Sequence, residues 1–415
     1  MFDIRVKFLN RTVLHCDLNN FYASVECREN PTLKDKPVAV CGSIKERHGI
    51  VLAKNYIAKE FGIITGEPVI HALKKCPSLV ILPPDMQKYE EASAHVRRIC
   101  MDYTSQIEPY GMDECWMDVT GSRLLFGDGE KIANEIRARI YKEVGITASV
   151  GVSFNKIFAK LASDLKKPDA TTLIPQAYFK KIVNPLPANM LFFVGNSTSR
   201  ILHRAGINTI GDLAASSPKA LKYLLGKTGE ILWCYANGLD ETPVCDQNYE
   251  REIKSIGNGA TALHDLNTDE SAKRLIYMLS EKVATRLRQN AMRCSLLRLH
   301  IRSFDLHAVS HQRAMPIPSQ SAGEIGSEAF SLFKHMWQFP YSPPIRSITV
   351  QACSLKDELT GSQLSMLDEF AAHQKRDTLE QAIDKIRGKY GYGSIMRASV
   401  MLGCEHEFLP SSIGV

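Results

Sequence analysis

The chain has 415 residues, 44% hydrophobic and 23% charged, with a formal net charge of +6. It is too long for a single core and divides into about three domains on ordinary domain sizes. No apolar run approaches the roughly 18 residues that cross a bilayer, which excludes a membrane-spanning helix, and no membrane partner is expected. The start of the chain, Met1 to Arg5, lacks a charged segment followed by an apolar one, so no secretion is expected. The eleven cysteines are scattered without a Cys-x-x-Cys pair, which argues against a zinc site or disulfide framework and for a reducing cytoplasm.

In chain order, the first half alternates strands and helices. Strand-like runs fall at Thr12 to Cys16, Pro37 to Cys41, Ile50 to Ala53, Leu79 to Leu82, Cys115 to Val119 and Thr147 to Val152. Helical segments fall at Phe21 to Cys27, Tyr56 to Phe61, Lys88 to Tyr103 and Lys131 to Glu143. From Pro185 to Asp240 strand signals vanish, and short helical pieces separated by Gly195, Gly206, Gly211, Gly226 and Gly238 point to a small all-helical domain. Polar residues from Asp240 to Asn248 read as a linker. A further α/β unit follows, in which Ala272, Leu275, Ile276, Leu279, Val283 and Leu287 recur at helical spacing. Residues Leu297 to Arg302 alternate strictly, which puts Arg298, His300 and Arg302 on one open strand face. From about Asp357 the chain is a tail with one more helix, Thr378 to Lys389.

Charge is uneven. From Lys273 to Arg313 there are nine Lys or Arg against two acids, a net of +7 that leaves the remainder at −1. This is the footprint of a polyanion partner, although a solvated face would give the same count.

Two segments carry carboxylates where a β-type run ends or turns: Val13 to Asp17, and Tyr110 to Thr120 with Asp113 and Glu114. Acids on neighbouring strands are the minimal ligand set for a pair of hard cations such as Mg²⁺, and such a pair does phosphoryl or nucleotidyl transfer. Alone, Asp17 reads as a helix cap and Asp113-Glu114 as a surface turn. Downstream, Lys156, Lys160, Lys166 and Lys167 supply cations for a triphosphate, with a solvated helix face as the alternative for Lys160 and Lys166.

These segments together resemble the Y-family translesion DNA polymerases, the group of bacterial polymerase IV (DinB) and UmuC-type proteins. The matching residues are His15 to Glu26, Ala53 to Gly62, Met112 to Glu114, Ser149 to Lys160 and Lys167-Pro168. The resemblance implies a multidomain α+β right-hand polymerase. Its parts would be a ferredoxin-like palm (1–28 and 84–174), fingers (29–83), a helix-hairpin-helix thumb (175–240), a linker (241–248), a little finger (249–355) and a C-terminal tail (356–415).

Carried onto this sequence, it implies that Asp17, Asp113, Glu114 and the Leu18 carbonyl hold two Mg²⁺ ions. Asn20, Phe21, Tyr56, Lys59 and Lys167 would bind the dNTP phosphates, Tyr22 would exclude a ribose 2′-hydroxyl, and Ile50 and Leu52 would cover the nascent pair. Arg298, His300 and Arg302 would hold primer-template DNA through phosphates. In the tail, Gln363, Leu364, Met366 and Leu367 look like a sliding-clamp-binding peptide. The expected protein is a cytoplasmic monomer performing low-fidelity translesion synthesis without proofreading. Departures from the family pattern are Lys59 where Arg is common, Leu52 where a smaller residue is common, Gly111 before the acidic pair, and a first thumb hairpin without Pro-Gly. The competing readings are a non-catalytic DNA and clamp adaptor, against which the three acids and Tyr22 argue, and a two-metal nuclease, in which Tyr56, Lys59 and Lys167 would have no purpose.

Overall fold

Strand β1 (Val13–Leu18) is buried along its whole length because helices cover both faces of its sheet. The structure, a computed structural model, describes residues 11–43, 47, 49–249, 252–357 and 369–398, with backbone alone for 369–375. The chain divides into two units, residues 1–42 with 50–250 and residues 43–49 with 251–415.

In the first unit β1 is followed by β2 (Val38–Cys41), β3 (Val51–Lys54), β4 (Val80–Leu82), β5 (Ile107–Tyr110), β6 (Glu114–Asp118), β7 (Ala148–Ser153) and β8 (Thr171–Ile174). One sheet has the order β5-β6-β1-β7-β8, with β1 antiparallel to both neighbours, and a second has the order β3-β2-β4. The helices α1 (Phe21–Glu29), α2 (Tyr56–Glu60), α3 (Val69–Lys75), α4 (Met86–Met101), α5 (Arg123–Phe126), α6 (Gly129–Arg139) and α7 (Lys156–Leu165) are interspersed among these strands.

The two-residue period of β1 sorts its side chains. Leu14, Cys16 and Leu18 join a core with Tyr89, Val96 and Ile99 of α4 and Ile132 and Ile136 of α6. Val13 meets Trp116 and Ala159 of α7, and His15 meets Ser163 of α7, so α7 lies on the opposite face. That approach needs a glycine, because a Cβ on Gly151 of β7 would collide with the Ala159 carbonyl and the Ser163 amide. Asn155 starts α7, its side chain accepting from the Phe158 amide at 2.8 Å.

After β8 the described residues of this unit contain helices and no strand: α8 (Phe179–Val183), α9 (Asn196–Arg204), α10 (Ile210–Ala215), α11 (Pro218–Leu225) and α12 (Lys227–Ala236). They share a core of Leu202, Ile210, Leu213, Leu221 and Leu232. The polar stretch after Asp240 does not hang free. Val244 is buried, the Cys245 amide donates to Glu108 at 3.2 Å, and the Gln247 amide donates to the Ser105 carbonyl at 2.9 Å, which fastens it along the β5 side of the sheet.

The second unit contains β9 (Ser255–Leu266), α13 (Asp269–Gln289), β10 (Met292–Ser303), β11 (Ala308–Ser319), α14 (Ala322–Met336), β12 (Ile345–Asp357) and α15 (Glu369–Tyr390). Its antiparallel sheet has the order β11-β10-β12-β9. The apolar stripe of α13, from Ala272 to Leu287, is fully buried with Leu297, Leu299 and Ile301 of β10. The tail helix is longer than its sequence pattern predicts, and it docks on α13 and α14 through charged pairs.

Candidate active site

The turn after β1 determines what Asp17 does. Asn20, in the left-handed region at φ 50°, occupies the N-cap position of α1, so Asp17 is not that helix's cap. It is the fifth residue of β1 and sits directly opposite Glu114 on β6, while the Leu18 amide donates to the Asp113 carbonyl at 2.9 Å. Antiparallel pairing therefore brings the three acids to one end of neighbouring strands.

Cations meet them from α7 and the turn behind it. Lys167 lies 2.8 Å from Asp17 and 2.8 Å from Asp164. Lys160 forms an ion pair with Glu114 Oε2, and His15 Nε2 lies 3.3 Å from the same oxygen. The chemistry of the three acids then diverges. Burial, eased by Lys167 and worsened by Glu114, pushes the Asp17 carboxyl up to about 6. Burial and the Glu114 charge also raise Asp113. Burial would raise Glu114 as well, but hydrogen bonding to His15 and Lys160 outweighs it and holds that carboxyl at about 2. Burial depresses His15, against the pull of Glu114.

This donor set fits divalent ions. Hard cations take carboxylate oxygens, and burial holds two of the three acids above their ordinary range even with two lysines beside them, a cost that bound cations would offset. As they stand, no three or more His, Cys, Asp or Glu side chains among the described residues form a group that could hold a metal ion, so the acids would have to turn toward one.

The other expected site residues fall as follows. Asn20 is half-buried at its left-handed turn, and the Phe21 side chain is in the core, so only its backbone is available to a ligand. The Tyr22 ring stacks on Tyr89 at 4.3 Å between centroids, its hydroxyl reaches Met112 Sδ at 3.5 Å, and burial and the Asp113 charge raise its pKa. Tyr56 is half-buried; burial raises its pKa and it feels the charges of both Lys167 and Asp17. Lys59 is exposed with its ammonium 5.6 Å from the Tyr56 ring centroid. Ile50 is exposed and Leu52 half-buried at the start of β3.

In the second unit, Arg298 and Arg302 are exposed and His300 half-exposed on β10, alternating with the buried Leu297, Leu299 and Ile301. Arg298 donates to Gln312 at 2.9 Å. The segment Gln363 to Leu367 lies outside the described residues.

Three side chains carry parts that the sequence does not announce. Lys160 is not on a solvated face; it is largely buried, with Nζ 5.5 Å from the Tyr110 ring centroid and 5.8 Å from that of Phe192. His15 stands out in the sequence only as a neighbour of Asp17, although two residues along a strand means the same face. Asn19, also buried, donates to Ser149 at 3.0 Å and accepts from the Asp169 amide at 2.9 Å, which ties down the turn carrying Lys167.

Residues 16–164 match the impB/mucB/samB family and residues 253–366 match that family's C-terminal domain. DNA polymerase IV of Acetivibrio thermocellus is 45% identical over 393 residues, which cover 95% of this chain and 98% of that protein. DNA polymerase IV 1 of Bacillus subtilis is 35% identical, covering 94% of each. The solved Y-family DNA polymerase chimera of Dbh and Dpo4 shares the fold at a TM-score of 0.74 and 24% identity, covering 83% of this chain and 99% of its own. The chain accordingly belongs to the Y-family DNA polymerases of the polymerase IV (DinB) type, a family of DNA-directed DNA polymerases.

Proposed function

We propose that this protein extends a primer on damaged templates, joining dNTPs to the primer 3′-hydroxyl with two Mg²⁺ ions held by Asp17, Asp113, Glu114 and the Leu18 carbonyl. The observation that carries the reading is the pairing of Asp17 with Glu114 across β1 and β6, with Asp113 fastened to Leu18 beside them. The ions would supply charge neutralisation at the triphosphate and a lowered pKa at the attacking hydroxyl.

The protein's own part is positioning. Asp17 is held beside Lys167, and the charges of both reach Tyr56, so this side of the site suits a polyphosphate bound by Tyr56, Lys59 and Lys167 with the backbone amides at Asn20 and Phe21. Lys59 offers a point charge rather than a fork. Stacking on Tyr89 gives Tyr22 the rigidity that a steric barrier to ribonucleotides requires. Ile50 and Leu52 would cover the nascent pair. On this reading the five-stranded sheet is the palm, the three-stranded sheet the fingers, the helical segment the thumb and the second unit's sheet the little finger, with the segment after Asp240 connecting thumb and little finger. No second carboxylate set for proofreading enters the proposal. The tail peptide at Gln363, Leu364, Met366 and Leu367 would engage a sliding clamp, and the protein would act as a monomer in the cytoplasm.

The test is primer extension with Mg²⁺ and dNTPs. The wild-type chain should incorporate nucleotides, and Asp113→Ala should lose at least about 10²-fold in kcat, the scale on which removing one preorganised electrostatic group acts. Undiminished incorporation by Asp113→Ala would overturn the assignment of the site.

A further inference from the structure

We infer that His15 is a positioning residue for Glu114, aiming its carboxylate through a buried relay that begins at Ser163 of α7. The inference rests on the reading of Glu114 as a metal-holding acid. It starts from the strand period: His15 and Asp17 lie on the same face of β1, opposite Trp116 and Glu114 of β6. Gly151 lets α7 press onto that face, and within one turn of it Lys160 and Ser163 reach the two ends of the arrangement.

The imidazole has no exposure and lies against the Trp116 ring, 5.0 Å between centroids. Its Nδ1 is 2.9 Å from Ser163 Oγ, which is also 2.7 Å from the Lys160 carbonyl. The hydroxyl proton serves one of these at a time. When Ser163 donates to the Nδ1 lone pair rather than to the Lys160 carbonyl, the ring's one hydrogen sits on Nε2 and faces Glu114 Oε2 at 3.3 Å. The opposite tautomer would set a lone pair against a carboxylate in a dry interior, which is electrostatically unfavourable. Among the described residues Nε2 makes no hydrogen bond with proper geometry; Glu114 Oε2 stands within reach but off line, so a small turn of the carboxylate would complete the bond. Lys160 grips the same oxygen, so both contacts fall on Oε2 and neither on Oε1. The ring spans the gap between a hydroxyl fixed on α7 and an acid of the site. Groups that orient metal ligands in this way typically contribute 10- to 100-fold in metal affinity or activity.

The experiment is single-nucleotide insertion titrated with MgCl₂ at saturating dNTP, using the full-length protein and its His15→Phe, His15→Gln and Ser163→Ala variants. His15→Phe keeps the ring packing and should raise the half-saturating Mg²⁺ concentration about 10- to 100-fold. The dNTP KM measured at saturating Mg²⁺ should stay near the wild-type value. His15→Gln keeps an N–H donor and should recover most of the shift, and Ser163→Ala should move the midpoint in the same direction by less. A purely packing role would lower the melting temperature without moving the Mg²⁺ midpoint. An unmoved midpoint in folded His15→Phe, or a glutamine variant no better than phenylalanine, would overturn the inference; if His15→Phe does not fold, an unmoved midpoint in Ser163→Ala does so. Full insertion by Glu114→Ala would instead sink the reading of Glu114 on which the relay depends.

Discussion

Asp17 holds its negative charge at a cost to the fold. Its carboxyl sits at about 6 against an ordinary 3.8, chiefly from burial. The folded state therefore binds this proton more tightly than the unfolded one. The associated stability is present at pH below about 4 and is lost as pH rises through about 6. An asparagine in its place would not titrate. In EDTA, Asp17→Asn should match the wild type at pH 4 and exceed it at pH 7.5, by on the order of 2 kcal/mol. Denaturation curves at the two pH values check this, and a variant less stable than wild type at pH 7.5 would contradict it. Saturating Mg²⁺ should narrow the gap, since an ion that binds only the folded wild type stabilises it. In its proposed role Tyr22 acts through the bulk of its ring. Tyr22→Ala should admit ribonucleotides while keeping deoxynucleotide insertion, and the measurement is the ratio of kcat/KM for deoxy- over ribonucleotide, which must fall in the variant if the ring is the barrier.

Helix α15 displays a different use of charge. Glu380 is buried against the start of α14, accepting from the Ala322 amide at 2.9 Å and from Ser321 Oγ at 3.0 Å, and it pairs with Arg288 of α13. Arg288 also pairs with Asp384 at 2.6 Å, and the buried Glu281 of α13 meets Arg387 at 2.8 Å and Arg397 at 3.0 Å. Breaking one buried partner strands the other, a loss of about 3–5 kcal/mol, whereas an exposed pair contributes at most about 1 kcal/mol. Glu380→Ala should thus release α15, seen as fast amide exchange over residues 369–390, while Arg376→Ala, which removes the mostly exposed partner of Glu324, should not. Arg288→Met combined with Glu380→Leu and Asp384→Leu, which leaves no partner of this arginine stranded, should restore protection; persistent fast exchange in that triple variant would show that the cluster does more than satisfy buried charge.

The same elements show what the amino-acid order discloses. β1 and β6 are legible because an apolar run ends in an acid, and α13 because its stripe repeats at helical spacing. β5 and β8 escape notice because each has four residues and one contains Pro109, too little for a period to emerge. The docking of α15 escapes because its anchors are charges whose partners lie some 90 or more residues away. Lys160 escapes for a subtler reason: its burial follows from the close approach at Gly151, a tertiary event without a local signature.

Across the whole molecule, the basic stretch from Lys273 to Arg313 turns out to be two populations. Arg288 is consumed in the clasp with α15 and Arg293 pairs with Asp377 at 2.6 Å, so neither charge is at the disposal of a polyanion. On β10 the strand period turns Arg298 and Arg302 outward from the core, where among the described residues each has only a neutral hydrogen-bond acceptor, Gln312 and the Leu306 carbonyl. A phosphate can replace such an acceptor at little cost, and the gain is counterion release rather than base recognition. Arg298→Gln with Arg302→Gln should therefore weaken binding to primer-template DNA equally across sequences and lower the slope of log K against log salt concentration by about 1 per lost contact. Arg293→Gln, removing one formal charge from a committed site, should leave the slope unchanged, where either Arg298→Gln or Arg302→Gln alone should lower it by about 1. A selective loss on particular sequences, or an equal slope change from Arg293→Gln, would mean that net charge or base contacts, and not the open strand face, governs how this unit holds DNA.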